Sequence, residues 1–168
     1  MKKMMAMVLA ALLMMAFLPA GAEGAQAEFT STQSLLDALD ADGIDYYEYN
    51  GIDSDGDEWV TVPNDGDNVS FDIECYFYSD NELCSLRIWN FIDYDAENYA
   101  QILEIVNDIN ASYRYVSCYA DTSDNSVTVS MDVIIREDDN AGDIVYEGLA
   151  WIAVLADEFY EQLSPYAI

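Results

Sequence analysis

The sequence runs to 168 residues and carries 33 acidic side chains against five basic ones, with no histidine, for a formal net charge of −28. A phosphate backbone needs lysine or arginine to neutralise it, so this balance excludes nucleic acid and anionic membrane surfaces as partners. Without histidine there is no imidazole metal ligand, no His-based triad and no imidazole pH switch.

The chain opens with Lys2 and Lys3, then an apolar run from Met4 to Leu18, then Pro19 and small residues. The run is short for a membrane span, which takes about 20 residues. Ala25-Gln26-Ala27 offers an A-x-A cleavage site, and cleavage after Ala22 is the other choice. This layout predicts a secretory signal peptide over 1–27, with residues 28–168 as the mature domain. The mature chain is expected to be secreted or periplasmic and to hold no stable membrane contact. No cysteine stands in 19–27, directly after the apolar run, so no lipoprotein-type attachment point is expected. The mature chain keeps only Arg87, Arg114 and Arg136 as basic side chains. With no lysine left, Schiff-base chemistry is excluded.

The first predicted helix spans 31–42, with Thr30 and Gln33 in a capping-box pattern. Leu35, Leu36 and Leu39 form its apolar stripe. Gly43 suits the left-handed position after the helix, and Ile44 folds back toward Leu39. Strands are then expected over 44–50, 58–62, 68–78 and 83–91. In "NVSFDIECYFY", Phe71, Ile73, Cys75 and Phe77 alternate with polar or tyrosine positions. Pairing Phe77 with Cys84 puts Cys84, Leu86 and Ile88 on the same inner face. Cys75 and Cys84 are then diagonal neighbours, about 7–8 Å apart and near the limit for a disulfide. Buried thiols are expected, with Cys118 as the third cysteine.

A second helix is predicted over 95–109, starting at Asp95 and carrying Tyr99, Ile102, Leu103, Val106 and Ile109 on one stripe. Two strands follow, over 112–120 and 126–135. The loop "REDDNAG" leads to a third helix over 143–163, with Val145, Leu149, Ile152, Leu155, Ala156, Phe159 and Leu163 inward and Gly148 allowing close packing. Pro165 lies just past its end. The resulting order is α-β-β-β(-β)-α-β-β-α. It predicts one α+β domain: an antiparallel sheet of five to six strands with helices on one face.

The stretch from "VNDIN" through the two-strand hairpin to "DEFYEQL" resembles the YbjN family of bacterial sensory-transduction regulators, with looser agreement in "DGIDYYEYN" and "WVTV". The resemblance covers about residues 31–163. It implies a fold like that of type III secretion chaperones and supplies no catalytic residues. The export signal and the acidity are departures from a family of cytoplasmic regulators.

Three groups of residues are candidates for function. The first is the outer sheet face, where Tyr76, Tyr78, Arg87 and Trp89 point away from the core and Tyr113, Tyr115 and Tyr119 share one face of the next strand. Such a face suits a protein or peptide partner, or a second copy of the chain as a homodimer. Ordinary cross-strand aromatic pairing is the other reading. The second is "DSDGDE", where Asp53, Asp55, Asp57 and Glu58 offer hard oxygens suited to Ca2+. The EF-hand spacing fails there, and a solvated turn is the other reading. The third is Asn107 with Asn110, read as structural: Asn110 falls mid-stripe, ends the second helix and bonds the backbone entering the next strand, while Asn107 supports that turn. No acid–base or nucleophile constellation is present, so the chain is not expected to be an enzyme and no cofactor is required. The sequence therefore reads as a secreted, non-catalytic, chaperone-like binding or regulatory module. The alternative is an extracellular cation- or small-ligand-binding protein that uses its acidic loops.

Overall fold

The computed structural model describes residues 26–79, 82–136 and 140–168, and the backbone alone of residues 47–50. The apolar run and both proposed cleavage junctions up to residue 25 lie outside the described residues.

Among the described residues, three α-helices and six strands follow one another as α1 (Thr30–Asp42), β1 (Tyr47–Ile52), β2 (Glu58–Asp65), β3 (Ser70–Phe77), β4 (Leu83–Asp93), α2 (Tyr99–Ser112), β5 (Val116–Asp121), β6 (Ser126–Ile134) and α3 (Ala141–Leu163). The sheet is antiparallel throughout, in the order β1-β2-β3-β4-β6-β5. This is the predicted α+β class, with helices on one face of an antiparallel sheet.

The apolar alternation sets the inner face. Val60 and Val62 of β2, Ile73, Cys75 and Phe77 of β3, and Cys84, Leu86 and Ile88 of β4 are all buried. The register pairs Phe77 with Cys84 and Cys75 with Leu86, as the alternation predicts. Helix α3 packs over β4 and β6 with Val145, Leu149, Ile152, Ala156, Phe159 and Leu163, while its Leu155 is half-exposed. Gly148 lets Val133 and Leu86 approach: a Cβ there would sit 3.0 Å and 3.1 Å from their methyls.

The end of α1 follows its sequence signal. Gly43 is left-handed (φ 67°), its N–H donates to the Asp40 carbonyl, and the Ile44 N–H donates to the Leu39 carbonyl. This is the double bond of a Schellman ending. The start of α1 does not follow its signal. Thr30 already lies inside the helix, Phe29 holds the N-cap position without a side-chain cap, and the Gln33 amide oxygen accepts from the Ala27 N–H instead. Glu58 takes over the exposed donors from a distance: its carboxylate accepts from the backbone N–H of Glu28 (2.7 Å) and of Phe29 (3.0 Å).

All three cysteines are buried free thiols. Burial pushes the Cys75 and Cys84 thiols up, and pushes Cys118 up to about 12. Only thiolate attacks a disulfide reagent. The native protein is therefore expected to leave a chromogenic disulfide reagent unreacted near neutral pH and to titrate three thiols once unfolded in guanidinium. Rapid reaction of the folded protein would contradict this burial.

Candidate functional site

The face of the sheet away from the helices collects the side chains that alternate out of the core. Trp59 and Thr61 of β2, Glu74 and Tyr76 of β3, and Ser85, Arg87 and Trp89 of β4 share it, with Ser130 and Asp132 of β6 and Tyr119 of β5 beyond. Two linked hydrogen-bond sets organise it. In one, the Tyr76 hydroxyl and the Trp89 indole N–H (2.9 Å) both donate to Oε2 of Glu74, and Trp59 lies beside Tyr76 with ring centroids 5.9 Å apart. Burial, followed by the bond to Glu74, pushes the Tyr76 phenol up to about 12. In the other, the Arg87 guanidinium donates to Asp132 (3.0 Å) and to the Ser85 hydroxyl, and Ser85 donates to Asp132 (2.6 Å). The Ser85 hydroxyl first, then Arg87, hold the Asp132 carboxyl below its ordinary range. Tyr78 reaches the Ser85 hydroxyl at 3.5 Å.

Four of the seven residues read from the sequence as a shared aromatic face therefore come together, namely Tyr76, Tyr78, Arg87 and Trp89. Tyr119 lies on the same face at the far edge, opposite Thr128, and is 39% exposed. Tyr113 and Tyr115 do not join it. Helix α2 continues through Ser112, so Tyr113 follows the helix end instead of lying in the strand. Its ring meets Phe159 edge-on at 4.8 Å and its hydroxyl donates to Glu158 (2.6 Å). Tyr115 adopts a left-handed backbone (φ 73°) just before β5, and its side chain is 81% exposed. That turn breaks the alternation counted from residue 112. Trp59, Thr61, Glu74 and Asp132 were missing from the sequence-based set. The alternation of "EWVTV" already marks Trp59 and Thr61 as outward, once Val60 and Val62 are taken as core.

The acidic loop does not gather its four carboxylates. Asp53 turns its Oδ1 back onto the N–H groups of Asp55 (2.8 Å) and Asp57 (3.0 Å), and these backbone bonds lower its pKa. Asp57 accepts from the Ser79 N–H, and Asp55 is exposed. Glu58 faces the opposite way, fully buried beneath the start of α1. Among the described residues no group of three or more His, Cys, Asp or Glu is placed to hold a metal ion.

The asparagine pair separates. Asn107 is exposed on α2, more than a turn before the helix ends, so it does not support the turn. Asn110 is also inside the helix and exposed; the helix is closed instead by the Tyr113 N–H donating to the Ile109 carbonyl. The Asn110 carboxamide donates to the Cys118 carbonyl and accepts from the Cys118 N–H, both at 2.8 Å. β5 is an edge strand, and these are backbone groups that face away from β6. The side chain stands in for one residue of a neighbouring strand, which blunts the edge. Asn110→Ala is expected to destabilise the fold by about 1–2 kcal/mol through two unmet bonds. Hydrogen exchange at the Cys118 amide should accelerate well beyond that of its β6-facing neighbours; unchanged protection would rule the capping out.

The outer face thus presents exposed aromatic surface on an α+β scaffold whose three thiols are buried. The family model for YbjN, described as "putative bacterial sensory transduction regulator", matches residues 31–164, and the chain belongs to this family. In fold it is similar to the crystal structure of YbjN from E. coli, titled a "putative transcription regulator", with TM-score 0.55 and 16% identity over 82% of this chain and 95% of that one. No curated protein matches the chain.

Proposed function

We propose that the chain is an exported, non-catalytic regulatory module that meets a protein or peptide partner on the open face of its sheet. The observation that carries this reading is the outer face of β2, β3 and β4. It bears Trp59, Tyr76 and Trp89, among the described residues no helix lies against it, and Trp89 is 47% exposed. Exposed aromatic surface of this kind marks interfaces more often than bare sheet does. The family's description as a regulator supports a binding role over a catalytic one. Export rests on the lysines, apolar run and A-x-A site of the first 27 residues.

A photo-crosslinking amino acid placed at position 89, and separately at position 151, tests the reading in producing cells. Trp151 is an exposed tryptophan on α3. Discrete adducts from position 89 and none from 151 are expected. Adducts from 151 alone would move the docking surface to the helices and overturn the proposal. Mass spectrometry of the protein from the same cells should show a chain starting after Ala22 or Ala27. A full-length mass in the cytoplasm would sink the export half.

A further inference from the structure

Glu74 sits at the centre of the outer face in an unusual electrostatic position. The residue directly across from it on β4 is Arg87, the pairing that normally gives a cross-strand ion pair. The guanidinium instead turns to Asp132 and Ser85, and this is the salt bridge found among the described residues. Among the described residues Glu74 is thus left without a cation. Both of its donors, Tyr76 and Trp89, fall on Oε2, and among the described residues Oε1 accepts nothing. On the other side, directly across on β2, lies Thr61. It is 3% exposed, and among the described residues its hydroxyl has no hydrogen-bond partner. A buried hydroxyl without a partner costs free energy until something binds it. Beside these two acceptors stand the indoles of Trp59 and Trp89 and the phenol ring of Tyr76.

We propose that this cluster is a docking site for arginine side chains of a basic, extended segment of a partner protein. The inference rests on the reading above that the open face meets a protein. Arginine fits the cluster: its planar guanidinium stacks on indole, and its donors meet the open Oε1 of Glu74. The charge of the whole chain selects the same occupant. At −28 it attracts a basic segment over long range and repels a second copy of itself.

The test is isothermal titration of the purified protein with a short acetylated and amidated peptide of alternating arginine and serine. Salt is held at about 0.15 M to screen diffuse attraction. The same peptide with citrulline for arginine is the neutral control. Saturable binding of the arginine peptide and none of the citrulline peptide is expected. Glu74→Gln and Trp89→Ala should each weaken it about tenfold or more, a step worth roughly 1.4 kcal/mol. Asp108→Asn removes one charge from exposed α2 and should leave it unchanged. Equal weakening by Glu74→Gln and Asp108→Asn would mean attraction to net charge alone and overturn the proposal. Binding unaffected by both outer-face changes would also overturn it. If position 89 still crosslinks a protein in cells in that case, the open face remains a docking surface for a segment of other chemistry. Trp89 is exposed, so its replacement provides a folded variant even if Glu74→Gln does not.

Discussion

Gly142→Ala is expected to lower the stability by about 3 kcal/mol, the result of closing a gap that only glycine leaves open. Gly142 lies in the first turn of α3, where that helix crosses α1. A Cβ built on it would fall 2.2 Å from the Ser34 carbonyl oxygen and 2.6 Å from the Ser34 carbonyl carbon. These are backbone atoms of the facing helix, so no side-chain rotation relieves the clash and the helices must part. The contact is also polar. The Gly142 N–H donates to the Ser34 hydroxyl (2.9 Å), and Ser34 donates in turn to Asn140 (3.1 Å). Alanine's better helix propensity returns at most about 1 kcal/mol, so strain wins. The midpoint of thermal unfolding should fall by about 10 °C, at roughly 2–4 °C per kcal/mol for a chain of this size. Ser34→Ala, which loses the hydroxyl but keeps the space, should cost only about 1 kcal/mol. Two equal losses would show that the hydrogen bonds, not the close approach, hold α1 against α3.

The β3–β4 pair shows what local pattern settles. A period of two over Phe71, Ile73, Cys75 and Phe77 and a short polar turn leave one register that buries both strands, and Phe77 opposite Cys84 follows. The outward placement of Tyr76, Tyr78, Arg87 and Trp89 comes with it. The Schellman ending at Gly43 was legible for the same reason, because its signal lies within six residues. The failures share the opposite property. Gly142 reads as loop because the partner that demands it, Ser34, is over a hundred residues away in sequence. Tyr113 and Tyr115 read as strand because a left-handed tyrosine at 115 has no glycine or asparagine to announce it. The unpaired state of Glu74 depends on which carboxylate Arg87 chooses, and sequence spacing favours the wrong one. Alternation alone places Tyr76, Arg87 and Trp89, and marks Trp59 and Thr61 as well, whereas the roles of Glu74 and Asp132 hang on contacts that it does not encode.

Glu58 is the strongest case of a residue whose neighbours mislead, and replacing it is expected to cost most. Next to "DSDGD" it looks like one more loop carboxylate. By strand parity it belongs with Val60 and Val62 on the inner face, and there it is fully buried. A buried carboxylate is tolerated only where donors meet it. Here two backbone N–H groups do so at the entrance to α1, where Phe29 has no side chain able to cap. Glu58 is a helix cap supplied by another element, and its negative charge also faces the positive end of the helix. Glu58→Ala leaves both donors unmet and should destabilise by about 3–5 kcal/mol. Glu58→Gln keeps one acceptor oxygen but turns an amide N–H toward the second donor, and should cost about 2 kcal/mol. Chemical denaturation checks both through a lower midpoint at unchanged slope. The comparison also bears on calcium. A cap acts without metal, so the loss in Glu58→Gln should be the same in excess calcium and in EDTA. A loss seen only with calcium present would return Glu58 to the acidic loop as a ligand and remove it from the start of the helix.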